Sequence, residues 1–228
     1  MSKSSLKRGA IGEDKVYKEL LRYNGYQKII NNLILCGENG MSHQIDHIVL
    51  RENGIFVLET KNYFGTISGK EDDSYWFKSF NKKGKFISER IPNPLKQNKS
   101  HIRNIRKIIG ANYHPAGLIV LVQNNADPLD IFCVSNIKDI NDKISICDTE
   151  WLTYNDIDNL YNLLLKNEYD MNEEQHVKNV KSLKQKIVDN QKEMRVAIET
   201  RKCPRCKSEL SVKGTQYSCP NCGYSFKL

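Results

Sequence analysis

Residues 56–62 read FVLETKN, an apolar run (Phe56, Val57, Leu58) that passes straight into Glu59-Thr60-Lys61. A buried strand does not end in an acid and a lysine unless something lies opposite to compensate them. Just upstream is R-E-N-G (51–54), and Asn-Gly between apolar runs is a strong short hairpin signal. A two-residue turn at Asn53-Gly54 pairs Glu52 with Ile55, Leu50 with Val57, Ile48 with Glu59 and Asp46 with Lys61. Strand side chains alternate with period two, so any even-length turn keeps Asp46, Glu59 and Lys61 on one face. A three-residue turn separates them.

That shared face also carries Ile48, Leu50, Ile55 and Val57, so it is the apolar side. Two carboxylates and a lysine at its end are costly to bury. A divalent cation held by Asp46 and Glu59 offsets the cost, and oxygen ligands suit Mg²⁺ or Mn²⁺. Lys61 then stands beside the metal, placed to orient or deprotonate a water. Glu13 lies three, four and seven residues before Val16, Tyr17 and Leu20, hence on the inward side of its helix. Gly9 and Gly12 permit close approach of the sheet. The same residues also admit a plainer reading, a cross-strand Asp46–Lys61 ion pair with Glu13 favoured by the helix dipole.

Outward from this hairpin the chain reads as helix 9–24, strands 26–35, 44–51 and 54–60, and shorter strands near 66–69, 75–80 and 85–90. Asn93 caps a helix with Pro94 in its first turn and Gly110 at its end. Strands at 116–122 and 130–134 and a helix at 153–167 follow. Residues 173–200 read as a charged helical connector. The order predicts an α/β domain over 1–170, the connector over 171–200, and a small module over 201–228.

The 228 residues carry a net charge of +8. No apolar run reaches 18 residues, and the first ten lack an apolar signal core, so the expected location is cytoplasmic with no membrane partner. Between Lys78 and Lys107 ten Lys/Arg face the single acid Glu89, a distribution that fits a polyanionic partner. Lys96, Lys99, Arg103 and Arg106 recur at steps of three and four beside Leu95, Ile102, Ile105 and Ile109, a candidate phosphate rail. His43, His47 and His101 show no ligand spacing with the acids. Cys36, Cys133 and Cys147 read as buried, reduced thiols.

The blocks GAIGEDKVYKEL, HQIDHIVL, GIFVLETKNYFGTISG, YW and NPLKQNKSHI, in that order through residues 8 to 122, resemble the nuclease-related domain (NERD) family. That family is grouped with restriction-endonuclease-like nucleases bearing a P-D…(D/E)-x-K site. The resemblance implies a restriction-endonuclease-like core and Mg²⁺-dependent hydrolysis of DNA phosphodiesters, with RNA also admissible. It also implies that Asp46 and Glu59 bind the metal, that Lys61 serves the attacking water and that Glu13 completes the site. Ile45 stands where the motif has proline; the family pattern is Q-x-D, which brings in Gln44. Gln97, in NPLKQN, resembles a position close to the site.

The last 26 residues hold Cys203, Cys206, Cys219 and Cys222 as C-x-x-C, twelve residues, C-x-x-C. Two close thiolate pairs suit a structural Zn²⁺ with a closed tetrahedral shell. The module resembles a zinc ribbon with a hairpin turning at Lys213-Gly214. So short a segment has no core of its own, so the metal is its fold. Arg201, Lys202, Arg205, Lys207, Lys213 and Lys227 make it basic, and it admits nucleic acid or a protein partner. Two rival functions stay open beside the nuclease: a nucleic-acid-binding protein without catalysis, and a protein adaptor using the ribbon and connector.

Overall fold

A computed structural model describes residues 3–37 and 40–227. The central sheet holds β1 (Gln27–Cys36), β2 (Ser42–Arg51), β3 (Gly54–Lys61), β7 (Ala116–Leu121) and β8 (Val134–Asn136), in that spatial order. Strands β1, β2 and β3 are antiparallel neighbours, whereas β3–β7 and β7–β8 are parallel. The parallel β3–β7 pair requires a crossover. It is made by β4 (Thr66–Ser68), β5 (Tyr75–Lys82) and β6 (Lys85–Pro92), which form a separate three-stranded sheet, and then by α2 (Pro94–Ile109).

Helices cover both faces of the central sheet. Val16 and Leu20 of α1 (Lys3–Leu20) pack with Val49, Phe56, Leu58, Leu118 and Val120. On the other face Ile105 and Ile109 of α2, with Ile157, Leu160 and Leu164 of α4 (Tyr154–Lys166), meet Ile48, Leu50, Ile55 and Val57. This leaves β3 the most deeply enclosed strand, buried from Gly54 to Thr60. The cap read from sequence forms, since Asn93 accepts from Leu95 N; Thr153 adds a capping box with Asp156 at the start of α4.

Four expectations are corrected. The hairpin turns at Glu52-Asn53, since Arg51 pairs with Gly54 and Ile48 with Val57, two positions away from the expected register. The cause is tertiary. Asn53 Nδ2 donates to Ile144 O and Cys147 O, while Thr149 N and Leu152 N donate to Asn53 O and Glu52 O. Gly54 takes the positive φ of 137°, and a Cβ there would lie 2.0 Å from Thr149 Oγ1. Second, a helix unforeseen in the sequence, α3 (Ile140–Ser145), supplies part of that brace and buries Ile140 and Ile144. Third, the last strand of the sheet is 134–136, displaced from 130–134, because a 3₁₀ turn at Asp127–Leu129 brings the chain in late. Fourth, Cys36 is exposed and Cys133 and Cys147 are half-buried; all are free thiols.

The chain divides at Met171/Asn172 into two compact units. The second holds α5 (Glu173–Thr200) and a three-stranded sheet of β9 (Ser211–Lys213), β10 (Gln216–Ser218) and β11 (Ser225–Lys227). Ala197 near the end of α5 is buried with Cys203, Leu210 and Cys219, so the helix joins the core of the small module. The β9–β10 turn is Gly214-Thr215, one residue later than expected, with Gly214 at φ 59°. Among the described residues no helix is long and apolar enough to cross a membrane.

Candidate active site

The register shift of two leaves the parity of β3 intact, and that parity sets the face of Glu59 and Lys61. Ile55 and Val57 face α2 and α4, and Glu59 and Lys61 follow on the same side of β3. The β2–β3 ladder stops at His47–Leu58. Beyond it the strands separate, and Thr60 N donates to Asp46 Oδ2 at 2.7 Å. A side-chain carboxylate thus takes over where a backbone carbonyl would otherwise pair. Ile45 and Ile48 join the same core cluster although three residues apart, so alternation is interrupted at Asp46-His47. On the neighbouring strand Asn32, between the pairs Asn31–His47 and Leu33–Ile45, has φ 56°.

Glu59 is 1% exposed. Its Oε1 accepts from Lys61 Nζ, and its Oε2 lies 3.2 Å from His101 Nε2. Lys61 Nζ also donates to Gln97 Oε1 at 3.4 Å, and Gln97 Nε2 is 3.4 Å from His101 Nε2. Gln97 and His101 are one helical turn apart on α2 and so share a face. Their helix is pinned over the strand by Asn98 Nδ2, which donates to Val57 O at 2.9 Å and Leu118 O at 3.3 Å.

The two carboxyls are shifted in opposite directions. Burial, and then the Glu59 charge beside it, pushes Asp46 well above the usual carboxylate range. Burial acts the same way on Glu59, but the Lys61 ammonium and His101 outweigh it and hold Glu59 below its ordinary value. Lys61 loses solvation, yet Glu59, Tyr63 and Asp46 together raise its pKa, so it keeps its proton. Glu13, half-buried on α1, adds to the negative field at Asp46. The helix comes close because Gly12 has no side chain: a Cβ there would lie 3.0 Å from Asn62 Cβ.

All of these residues lie in the segment 8–123, which matches the family described as nuclease-related domain, NERD. That segment is just over half of the chain. The chain belongs to the NERD family. An uncharacterized protein of Bacillus anthracis is 38% identical over 104 residues, 45% of this chain and 47% of that protein. The chain therefore spans about half the length of the curated relative it matches. No solved structure matches.

Within the NERD segment the expected residues do not all converge. Asp46, Glu59, Lys61 and Gln97 are drawn together, with Glu13 at electrostatic range. Gln44 is turned to β1, where its Nε2 donates to Asn32 Oδ1 at 3.0 Å. His101 belongs to the cluster, although its sequence spacing gave no hint of ligation; the available signal was its i+4 relation to Gln97 on the α2 face. His47 is buried and meets Asn31 Oδ1 at 2.8 Å. Lys96, Lys99, Arg103 and Arg106 are exposed along α2. Three of them are locally engaged: Lys96 with Ser74 Oγ (3.3 Å), Lys99 with Glu71 (3.6 Å) and Arg106 with Ala111 O (3.2 Å).

Outside the NERD segment, Cys203, Cys206, Cys219 and Cys222 bring four Sγ atoms within 4.8 Å of one another, a set able to hold a metal ion such as zinc. The backbone repeats one device around both pairs. Lys207 N donates to Cys203 O (2.9 Å) and Gly223 N to Cys219 O (3.0 Å), each donor at positive φ, 62° and 71°. Tyr217 stacks on Phe226 with centroids 4.9 Å apart, so these rings pack the small sheet.

Proposed function

We propose that the protein is a metal-dependent nuclease that hydrolyses DNA phosphodiesters on a restriction-endonuclease-like core, with a zinc ribbon that helps it engage nucleic acid. The observation that carries this reading is the ionised, fully buried Glu59 held between Lys61 and His101, next to a second buried carboxyl, Asp46. A purely structural ion pair needs no second acid whose burial raises its pKa.

The donor set fits a hard divalent cation such as Mg²⁺ or Mn²⁺. Asp46 and Glu59 supply oxygens, and Glu59 Oε2 is buried without an aligned hydrogen-bond donor. Among the described residues only the four cysteines gather three or more candidate ligand atoms within 4.8 Å. Asp46 and Glu59 would hold the cation, as befits Mg²⁺, which is bound through one or two carboxylates and keeps positions for water and phosphate oxygens. When bound, the ion supplies Lewis-acid stabilisation of the charge developing on the phosphate.

The chain's own groups do the rest. Lys61, kept cationic by Glu59, orients the attacking water and offers positive charge to the phosphate; a lysine with a raised pKa is a poor general base. Gln97 fixes the Lys61 ammonium from α2, and His101 holds the Glu59 carboxylate in place. The Thr60 N–H sets the orientation of Asp46. In the ribbon the four cysteines would hold Zn²⁺ as thiolates and leave no ligand position for substrate, so the ion would serve a structural role.

Incubating the purified protein with linear, circular and single-stranded DNA and with RNA, in Mg²⁺ or Mn²⁺, tests the assignment. Cleavage should require the added ion and fall at least about a hundredfold in Glu59→Ala and Lys61→Ala, the scale for losing a group that stabilises transition-state charge. Cleavage that survives in both variants sinks the site. Binding without cleavage of any substrate replaces the nuclease by a nucleic-acid-binding protein on the same core.

A further inference from the structure

The β4–β5–β6 sheet, inserted between β3 and α2, carries a surface that the acid site does not use. Its register sorts β5 into two faces. Trp76, Lys78, Phe80 and Lys82 share one with Ile91, Glu89, Ile87 and Lys85, while Tyr75, Phe77 and Phe86 lie on the other. The first half of the former face is sealed in the core through Ile67, Trp76 and Ile91. The second half runs past the core and, with Phe64 and Arg8, borders an open cavity of about 470 Å³.

Two rings and three cations, Arg8, Lys78 and Lys82, line that cavity, and Lys85 is the cross-strand partner of Lys82. Phe64 and Phe80 are tilted with centroids 4.5 Å apart, and Phe64 is 43% exposed. Lys78 braces them: its Nζ lies 4.9 and 5.3 Å from the two centroids and 2.7 Å from Glu89 Oε2. Arg8, Lys82 and Lys85 are exposed, and among the described residues no ion pair or hydrogen bond engages their side chains. The cavity adjoins the acid site through the chain itself. Phe64 follows Lys61 by three residues, and Asn62 Nδ2 donates to Arg8 O at 2.9 Å.

We propose that this face binds a single-stranded segment of nucleic acid, with bases against Phe64 and Phe80 and phosphates on Arg8, Lys82 and Lys85, and leads it toward Asp46, Glu59 and Lys61. An exposed ring, Phe64, beside the half-buried Phe80 and flanked by unpaired cations is a means of gripping a strand without reading its sequence. A duplex keeps its bases stacked and offers no ring face to Phe64, so the surface selects unpaired nucleotides. What the strand is delivered to rests on the nuclease reading above; its capture does not.

The test is fluorescence anisotropy on the full zinc-loaded chain without added Mg²⁺ or Mn²⁺, using labelled oligothymidylate and a duplex of equal length. Phe64→Ala and Phe80→Ala should each weaken single-strand binding about fivefold or more, the scale for losing one stacked base. Duplex binding should be unchanged. The triple variant Arg8→Ala, Lys82→Ala, Lys85→Ala should flatten the slope of log affinity against log salt by about 2, at roughly 0.7 for each phosphate no longer neutralised. Phe86→Ala, on the opposite face, should bind like the unaltered chain. Binding within twofold for both ring variants, equal loss in Phe86→Ala, or equal weakening of the duplex overturns the proposal. If Phe80→Ala does not fold, as judged by its melting curve, Phe80→Leu keeps apolar volume without the ring and decides the same question. Failure here leaves the metal-dependent cleavage assay untouched, and failure of cleavage leaves this binding result standing.

Discussion

His101 Nε2, on α2, lies 3.2 Å from Glu59 Oε2 at the end of β3, and both side chains are buried. With Lys61 on the other oxygen, the Glu59 carboxylate is gripped from two elements. Groups that orient a metal-binding carboxylate typically govern metal affinity by about 10- to 100-fold. His101→Ala should therefore raise the Mg²⁺ concentration for half-maximal cleavage by about that factor, while saturating Mg²⁺ restores most of the rate. Calorimetric titration with Mn²⁺ reads the same affinity without turnover. An unchanged metal requirement with a uniformly reduced rate would show that His101 does not act through Glu59.

The brace on the hairpin makes Gly54 sensitive. Its φ of 137° and the 2.0 Å approach of Thr149 Oγ1 to any Cβ leave no room for alanine. Gly54→Ala should destabilise the 1–171 unit by about 2 kcal/mol or more, the scale of non-glycine residues forced into such conformations. Urea denaturation measures it. A midpoint equal to that of the unaltered chain would mean that the turn is free to rearrange.

His47 gives a pH dependence of known sign. Burial lowers its pKa from the ordinary 6.5 to about 4. The unfolded chain therefore binds this proton more readily, and the stability tied to the neutral ring is complete above pH 6.5 and is lost as pH falls toward 4. The full loss is on the order of 3 kcal/mol. Urea midpoints at pH 7.5 and 4.5 should differ more in the unaltered chain than in His47→Gln. Equal differences would show that His47 titrates alike in both states.

The cysteine module should depend on a bound metal. Cys203→Ser removes a buried candidate ligand, and small four-cysteine metal modules fold only with the ion. Bound zinc, measured by elemental analysis, should fall to a small fraction. The thermal transition of the 1–171 unit should stay in place. Retained zinc, or collapse of both units together, would contradict separate folding of the two.

Much of the site was legible because strand parity survives a shift of two. Glu59 and Lys61 share a face whether the hairpin turns at Asn53-Gly54 or at Glu52-Asn53, and the apolar pattern of 48–57 identifies that face as inward; Asp46 joins them where the alternation of β2 is interrupted and its Oδ2 accepts from Thr60 N. The cap at Asn93 and the paired C-x-x-C motifs were legible for a similar reason: each is a local device whose partners lie within a few residues. His101 was not, because its relation to Glu59 spans 42 positions and depends on how α2 is seated over β3 by Asn98. Neither was the true position of the turn, which the Ile144–Leu152 segment selects through hydrogen bonds to residues 52 and 53.

By itself, then, the sequence determined the periodic and local features: an α/β unit, the inward face of the acid–lysine strand, and a four-thiolate module. Tertiary structure decided which turn closes the hairpin, that Asp46 takes the Thr60 N–H where the ladder ends, that Gln44 turns to Asn32, and that Gln97 and His101 close over Glu59. The physical reason is range. Periodicity and capping are enforced by neighbours along the chain, whereas the state of a buried carboxylate depends on which distant charges the packing brings against it.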